Sequence, residues 1–111
     1  MDKSDLAAGL LARAFASGEP MVHASKMRHH LADIAGRRRI GLLRSLSTGT
    51  VQDNVALMEC ALLWERAMLA ARMPVGEQGM AILLLERGHE VMASADPAAA
   101  ALAALRTSVL A

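Results

Sequence analysis

The fold prediction for this chain rests on one segment, Gly76-Glu-Gln-Gly-Met-Ala-Ile-Leu-Leu-Leu-Glu-Arg-Gly-His-Glu-Val-Met-Ala-Ser-Ala-Asp96-Pro97. Its apolar positions fall on two neighbouring stripes of a helix, Met80, Leu84 and Val91 on the first and Ile82, Leu85, His89 and Met92 on the second. Asp96 is a good N-cap and Pro97 suits the first helical position, so we expect another helix from residue 97 to about residue 110. The segment therefore predicts a helical hairpin.

Small residues in this segment are spaced as in the second helix of a tetratricopeptide repeat, with Gly76 five residues before Ala81 and Leu85 four residues after it. Apolar spacing and turn residues predict further helices upstream, from Ser4 to Ser17, from Pro20 to Gly36, from Ile40 to Ser47 and from Val51 to about Arg72. The predicted fold is all-α, with stacked antiparallel helical hairpins in a tetratricopeptide-like repeat that forms a single domain over residues 1–111.

The region from residue 51 to residue 72 is apolar on nearly all sides. One stripe comprises Val55, Met58, Leu62 and Leu69, and a second comprises Leu57, Ala61, Trp64 and Met68. Such a pattern predicts either one central helix or two shorter helices that pack on each other. The sequence also leaves open which stripe belongs to the core and which to a binding groove.

The composition favours a helical protein with apolar surface to spare. Hydrophobic residues make up 54% of the chain, eight residues are Met, and the net charge is only +1. A lone cysteine, Cys60, fits a reducing compartment. Asp2 and Lys3 argue against a signal peptide, and Glu59, Glu65 and Arg66 interrupt the most apolar window, so we expect no membrane insertion. We therefore expect a cytoplasmic protein.

Catalytic, metal and nucleic-acid sites are not predicted. The four histidines, His23, His29, His30 and His89, lack the spacing of a metal site. No nucleophile, phosphate-binding loop or cofactor motif occurs, and Cys60 lies in an apolar stripe, so we expect neither an enzyme nor a cofactor. The basic cluster comprises Lys26, Arg28, Arg37, Arg38, Arg39 and Arg44. Without stacking aromatic residues it is interpreted as a solvated face, and flexible methionines favour binding of a helix instead.

Several segments resemble, in the same order, the YscG/PscG-type chaperones of type III secretion. They are Met1-Asp-Lys-Ser4, Leu11-Ala-Arg-Ala-Phe-Ala-Ser-Gly18, Arg39-Ile-Gly-Leu-Leu-Arg-Ser-Leu46, Thr50-Val-Gln-Asp-Asn-Val-Ala-Leu57 and Ser94-Ala-Asp-Pro-Ala-Ala-Ala-Ala-Leu-Ala-Ala-Leu-Arg106. The resemblance implies a bacterial cytoplasmic chaperone of tetratricopeptide-like fold. Its concave surface would hold the amphipathic C-terminal helix of the needle subunit and prevent premature polymerisation, and a small helical co-chaperone would complete a heterotrimer.

Within that interpretation, stripe positions assign residues to two surfaces. The groove for the partner helix would contain Leu42, Leu46, Leu62, Met68, Leu69, Met73 and Leu105. The co-chaperone surface would contain Leu10, Phe15, Val22 and Met27. Apolar helical surface does not by itself name a partner, so a homodimeric regulator that sequesters a transcription factor is the alternative.

Overall fold

The structure is a computed structural model that describes residues 2–35, 50–77 and 79–110. The described residues contain five helices and three strands. In chain order they are α1 (Lys3–Ala14), β1 (Met21–His23), α2 (Ala24–Ala35), α3 (Thr50–Arg66), β2 (Ala70–Val75), β3 (Gly79–Leu84), α4 (Glu86–Met92) and α5 (Pro97–Leu110). The prediction of an all-α stack of helical hairpins is therefore wrong, because the fold is mixed α/β.

The three strands form one antiparallel sheet in the order β1-β3-β2. Val22 of β1 lies opposite Ile82, and Ala71 of β2 lies opposite Leu83. Gly76 has a φ of 66° in the turn between β2 and β3, a backbone conformation that glycine adopts without steric cost. Pro74 lies in β2, at the edge of the sheet, where a missing N–H leaves no ladder bond unmade.

The start of the segment on which the prediction rested is thus a hairpin strand and not a helix. A short apolar run such as residues 80–84 satisfies the spacing of a buried strand as well as that of a buried helix. The central position of β3, with a partner strand on each side, provides ladder bonds for both edges of that run. Tertiary pairing therefore overrides the helical spacing, and only the shorter α4 remains of the predicted helix.

The helix predicted from Val51 to about Arg72 ends earlier, at Arg66. Its last turn closes with the Leu69 N–H donating to the Trp64 carbonyl at 2.9 Å and the Met68 N–H donating to the Glu65 carbonyl at 3.1 Å. This pair of bonds is the Schellman arrangement, which needs a left-handed residue, and Met68 supplies it with a φ of 63°. The chain then turns directly into β2.

The helix predicted after Asp96 is confirmed as α5. It begins at Pro97, and the Asp96 carboxylate accepts a hydrogen bond from the Ala99 N–H at 3.2 Å. Farther upstream, the helix predicted from Pro20 is instead the short strand β1 followed by α2. The helix predicted at residues 40–47 lies outside the described residues.

The helices and the sheet share one hydrophobic core. Trp64 is its largest fully buried side chain, and its indole N–H donates to the Ala7 carbonyl of α1 at 2.9 Å. Near the start of β2, a Cβ on Gly88 of α4 would lie 2.1 Å from the Leu69 carbonyl oxygen. Glycine therefore allows α4 to approach the start of β2 closely.

The hairpin of β2 and β3 is followed in the chain by the helices α4 and α5. Among the described residues, no helix is both long enough and apolar enough to cross a bilayer.

A candidate protein-binding surface

The candidate site is the outer side of α3. Val51, Val55 and Leu62 lie at spacings of four and seven residues, which places them on one face of the helix. Their exposed fractions are 62%, 53% and 54%. We call these three residues the α3 ridge. Together with Met68, in the turn that ends the helix, they are the exposed large hydrophobic side chains among residues 2–34, 51–77 and 79–107, for which the structure describes burial.

The opposite face of α3 is buried, in contrast to the ridge. Leu57, Ala61 and Trp64 are buried in the core. The stripe of Leu57, Ala61, Trp64 and Met68 is therefore the core stripe, apart from Met68. The other stripe contributes Val55 and Leu62 to the ridge. A helix that keeps apolar side chains on its solvent side has surface available for a partner.

One flank of the ridge is an open pocket of about 470 Å³ between α3 and the beginning of α1. Its lining comprises Asp2, Lys3, Ser4, Glu59, Leu62, Leu63 and Arg66. Lys3 and Glu59 form an ion pair across it, and the Asp2 carboxylate caps α1 by accepting from the Asp5 N–H at 2.9 Å. The pocket therefore combines an apolar wall, contributed by α3, with a charged wall.

The other flank is held by two arginines from neighbouring elements. The Arg28 guanidinium of α2 donates to the Asn54 side-chain oxygen at 3.2 Å. Arg72 of β2 binds Glu65 through three hydrogen bonds, one from its backbone N–H and two from its guanidinium. The hydrogen bonds from the Arg72 side chain hold the pKa of the Glu65 carboxyl below its usual value. These contacts fix α3 against α2 and the sheet.

The pKa values of Cys60 and His30 are shifted by their surroundings. Burial raises the pKa of the Cys60 thiol to about 12, so it stays protonated and unreactive at neutral pH. Burial, with Arg13 as the next cause, lowers the pKa of His30, whose Nδ1 accepts from Arg13 at 3.3 Å. No group of three or more His, Cys, Asp or Glu side chains within the described ranges could hold a metal ion.

The structure separates the predicted groove residues from one another. Leu62 and Met68 are exposed, Met73 is half-buried on β2, and Leu69 and Leu105 are buried in the core. Leu42 and Leu46 lie outside the described residues. Buried side chains contact the rest of the protein and do not line an open surface, so the described exposed members of the set are Leu62 and Met68.

The predicted co-chaperone residues share one environment. Leu10, Phe15, Val22 and Met27 are all at most 2% exposed and belong to the hydrophobic core. Their apolar spacing reflects packing of α1, β1 and α2 against one another. Any second partner would have to contact other residues of these elements.

Sequence reasoning missed part of the ridge. Val51 was assigned only as the start of a helix, although the polar residues Gln52, Asp53 and Asn54 separate it from Val55. That run of polar residues was the available signal of a solvent-facing turn.

Comparison with protein-family models, with curated proteins and with solved structures found no match for this chain. Arg66 is the only cation among the exposed side chains of α3 that the structure describes.

Proposed function

We propose that this protein binds an amphipathic helix of another protein and covers its apolar face. One observation carries the proposal: among the side chains whose burial the structure describes, the exposed large hydrophobic ones are confined to α3 and the turn that ends it. Covering the exposed parts of the three ridge side chains would contribute on the order of 1 kcal/mol each. A partner helix could pack along α3 with the ridge side chains between its own.

The resemblance to the type III secretion chaperones points to a needle subunit as the protein that supplies such an amphipathic helix. A needle subunit must keep its amphipathic C-terminal helix covered until export, and covering it requires apolar surface and no catalysis. We propose that this chain has that role in the bacterial cytoplasm, with a small helical protein as co-chaperone. The contact would differ from the concave repeat surface that the resemblance implied, because α3 presents a convex ridge against which the partner helix packs side by side.

The test is co-expression of the tagged protein with a needle-type subunit and the neighbouring small helical protein from the same genome. Size-exclusion chromatography and native mass spectrometry would then give the composition of the complex. We expect a stoichiometric complex in which the needle subunit is monomeric. The double variant Val55→Asp/Leu62→Asp should lose the subunit and keep its helix content by circular dichroism, because both side chains are more than half exposed.

Ala103→Asp is the control for an added carboxylate, since it introduces one such charge at an exposed position of α5. This variant should retain the complex. A needle subunit that stays bound to the double variant would contradict the proposal. A stable homodimer of the wild-type chain that ignores both candidate partners would instead favour the homodimeric regulator, the alternative use of the same ridge.

A further inference from the structure

The charges around the α3 ridge are not balanced, and this restricts the kind of helix that fits. Two cations next to the ridge are neutralised within the protein, Lys3 by Glu59 and Arg72 by Glu65. Asp2, in the neighbouring pocket, accepts a hydrogen bond as the N-cap of α1 and keeps its negative charge. These two cations and three carboxylates leave one negative charge beside the ridge.

Two further cations have no acidic partner among the described residues. Arg66 is exposed and forms no ion pair with any described side chain. Arg28 donates to the amide oxygen of Asn54, which is a neutral acceptor. Arg66 lies four residues after Leu62, and Asn54 directly precedes Val55. Two cations without an ion pair to a described acid therefore lie beside the ridge, Arg66 one turn beyond Leu62 and Arg28 next to Val55.

The separation of these two cations follows from helix geometry. Residues 54 and 66 of α3 are twelve positions apart, which corresponds to about 18 Å along the helix axis. A partner helix lying along the ridge would pass both positions with its flanks. Acidic side chains about eleven or twelve residues apart on that helix would meet Arg28 and Arg66, whereas basic side chains there would be repelled.

We propose that the ridge selects an acidic amphipathic helix, with carboxylates flanking both ends of its apolar stripe. This inference rests on the proposed function and adds the charge of the partner. The apolar contact supplies most of the affinity, and the two arginines supply discrimination between helices of similar apolarity.

Three synthetic helical peptides with an identical leucine stripe would test the proposal, carrying Glu, Gln or Lys at the two flanking positions. Fluorescence anisotropy with the full-length protein should give the affinity order Glu, Gln, Lys. Because each exposed pair is worth under about 1 kcal/mol, we expect about a tenfold difference between the Glu and Lys peptides at low salt. The difference should shrink to about twofold in 1 M salt, where the screening length is about 3 Å.

Arg66→Glu should reduce or invert the preference, because it reverses the charge at one end of the ridge. Arg106→Glu changes the net charge equally on α5, where Arg106 lies 3.9 Å from Asp5, and it should leave the preference unchanged. Equal binding of all three peptides, with loss of binding in Leu62→Asp, would overturn the charge selection and leave the proposed function standing.

Two other results would also overturn the inference. Tighter binding of the Lys peptide would show that the field around the ridge has the opposite sign. If no peptide binds, and sedimentation finds a wild-type dimer that Leu62→Asp converts to a monomer, a second copy of this chain occupies the ridge, and the proposed function fails as well.

Discussion

The inner and outer faces of α3 carry similar side chains in opposite environments. Trp64 and Leu57 on the inner face are fully buried, whereas Val55 and Leu62 on the outer face are more than half exposed. Hydrophobicity along the helix therefore does not distinguish the core from a binding surface. The distinction depends on what packs against each face, and the two faces should respond differently to the same kind of substitution.

The largest expected difference is between truncations on the two faces. Trp64→Ala should lower the free energy of unfolding by about 3–5 kcal/mol, because it opens a cavity and leaves the Ala7 carbonyl without its indole donor. Leu62→Ala on the ridge should change it by less than about 0.5 kcal/mol. Urea denaturation followed by circular dichroism measures both, and equal losses would contradict the assignment of the two faces.

A pair of glycines extends the comparison to backbone packing. Gly88→Ala should destabilise the protein by about 1–3 kcal/mol, since the new Cβ would lie 2.1 Å from the Leu69 carbonyl oxygen. Gly9→Ala is the control within α1, where a Cβ would meet nothing within 4 Å. That substitution should stabilise by about 0.5–1 kcal/mol through helix propensity. Thermal denaturation of the two variants should therefore shift in opposite directions.

Met68, in the turn that ends α3, combines a strained backbone with an exposed side chain. Its φ of 63° has a steric cost for any residue with a Cβ, and its side chain is 62% exposed. Met68→Gly should raise the free energy of unfolding by about 1 kcal/mol, because the strain disappears and little packing is lost. A lower midpoint of denaturation in this variant would mean that the methionine side chain packs against the folded protein after all.

The smallest expected effect concerns the ion pair between α3 and β2. Arg72 lowers the folded-state pKa of Glu65. The ionised Glu65 side chain therefore contributes to stability at pH values above its ordinary pKa of 4.5. This contribution is lost as the pH falls below 4.5 and through the folded-state pKa. Both side chains are partly exposed, which limits the contribution to under about 1 kcal/mol. Glu65→Gln should therefore flatten the loss of stability on acidification. An unchanged pH profile would show that the pair contributes nothing measurable.

Features that depend on neighbouring residues were predictable from the sequence. The start of α5 follows from Asp96 and Pro97, because an N-cap acts on backbone groups two or three residues away. The end of α3 was not predictable from the sequence, since Met68 occupies a left-handed position where glycine is usual. Without a glycine at that point, the apolar pattern continued into β2 and suggested a longer helix.

By itself, then, the sequence determined where α5 begins and that α3 is apolar on several sides, because capping and side-chain periodicity act within a few residues. Only the tertiary structure decided that residues 79–84 form a strand, since the Val22 and Ala71 segments that pair with it come from other parts of the chain. Packing also decided which face of α3 is core. Burial depends on the elements that surround a helix, and periodicity within the helix does not specify them.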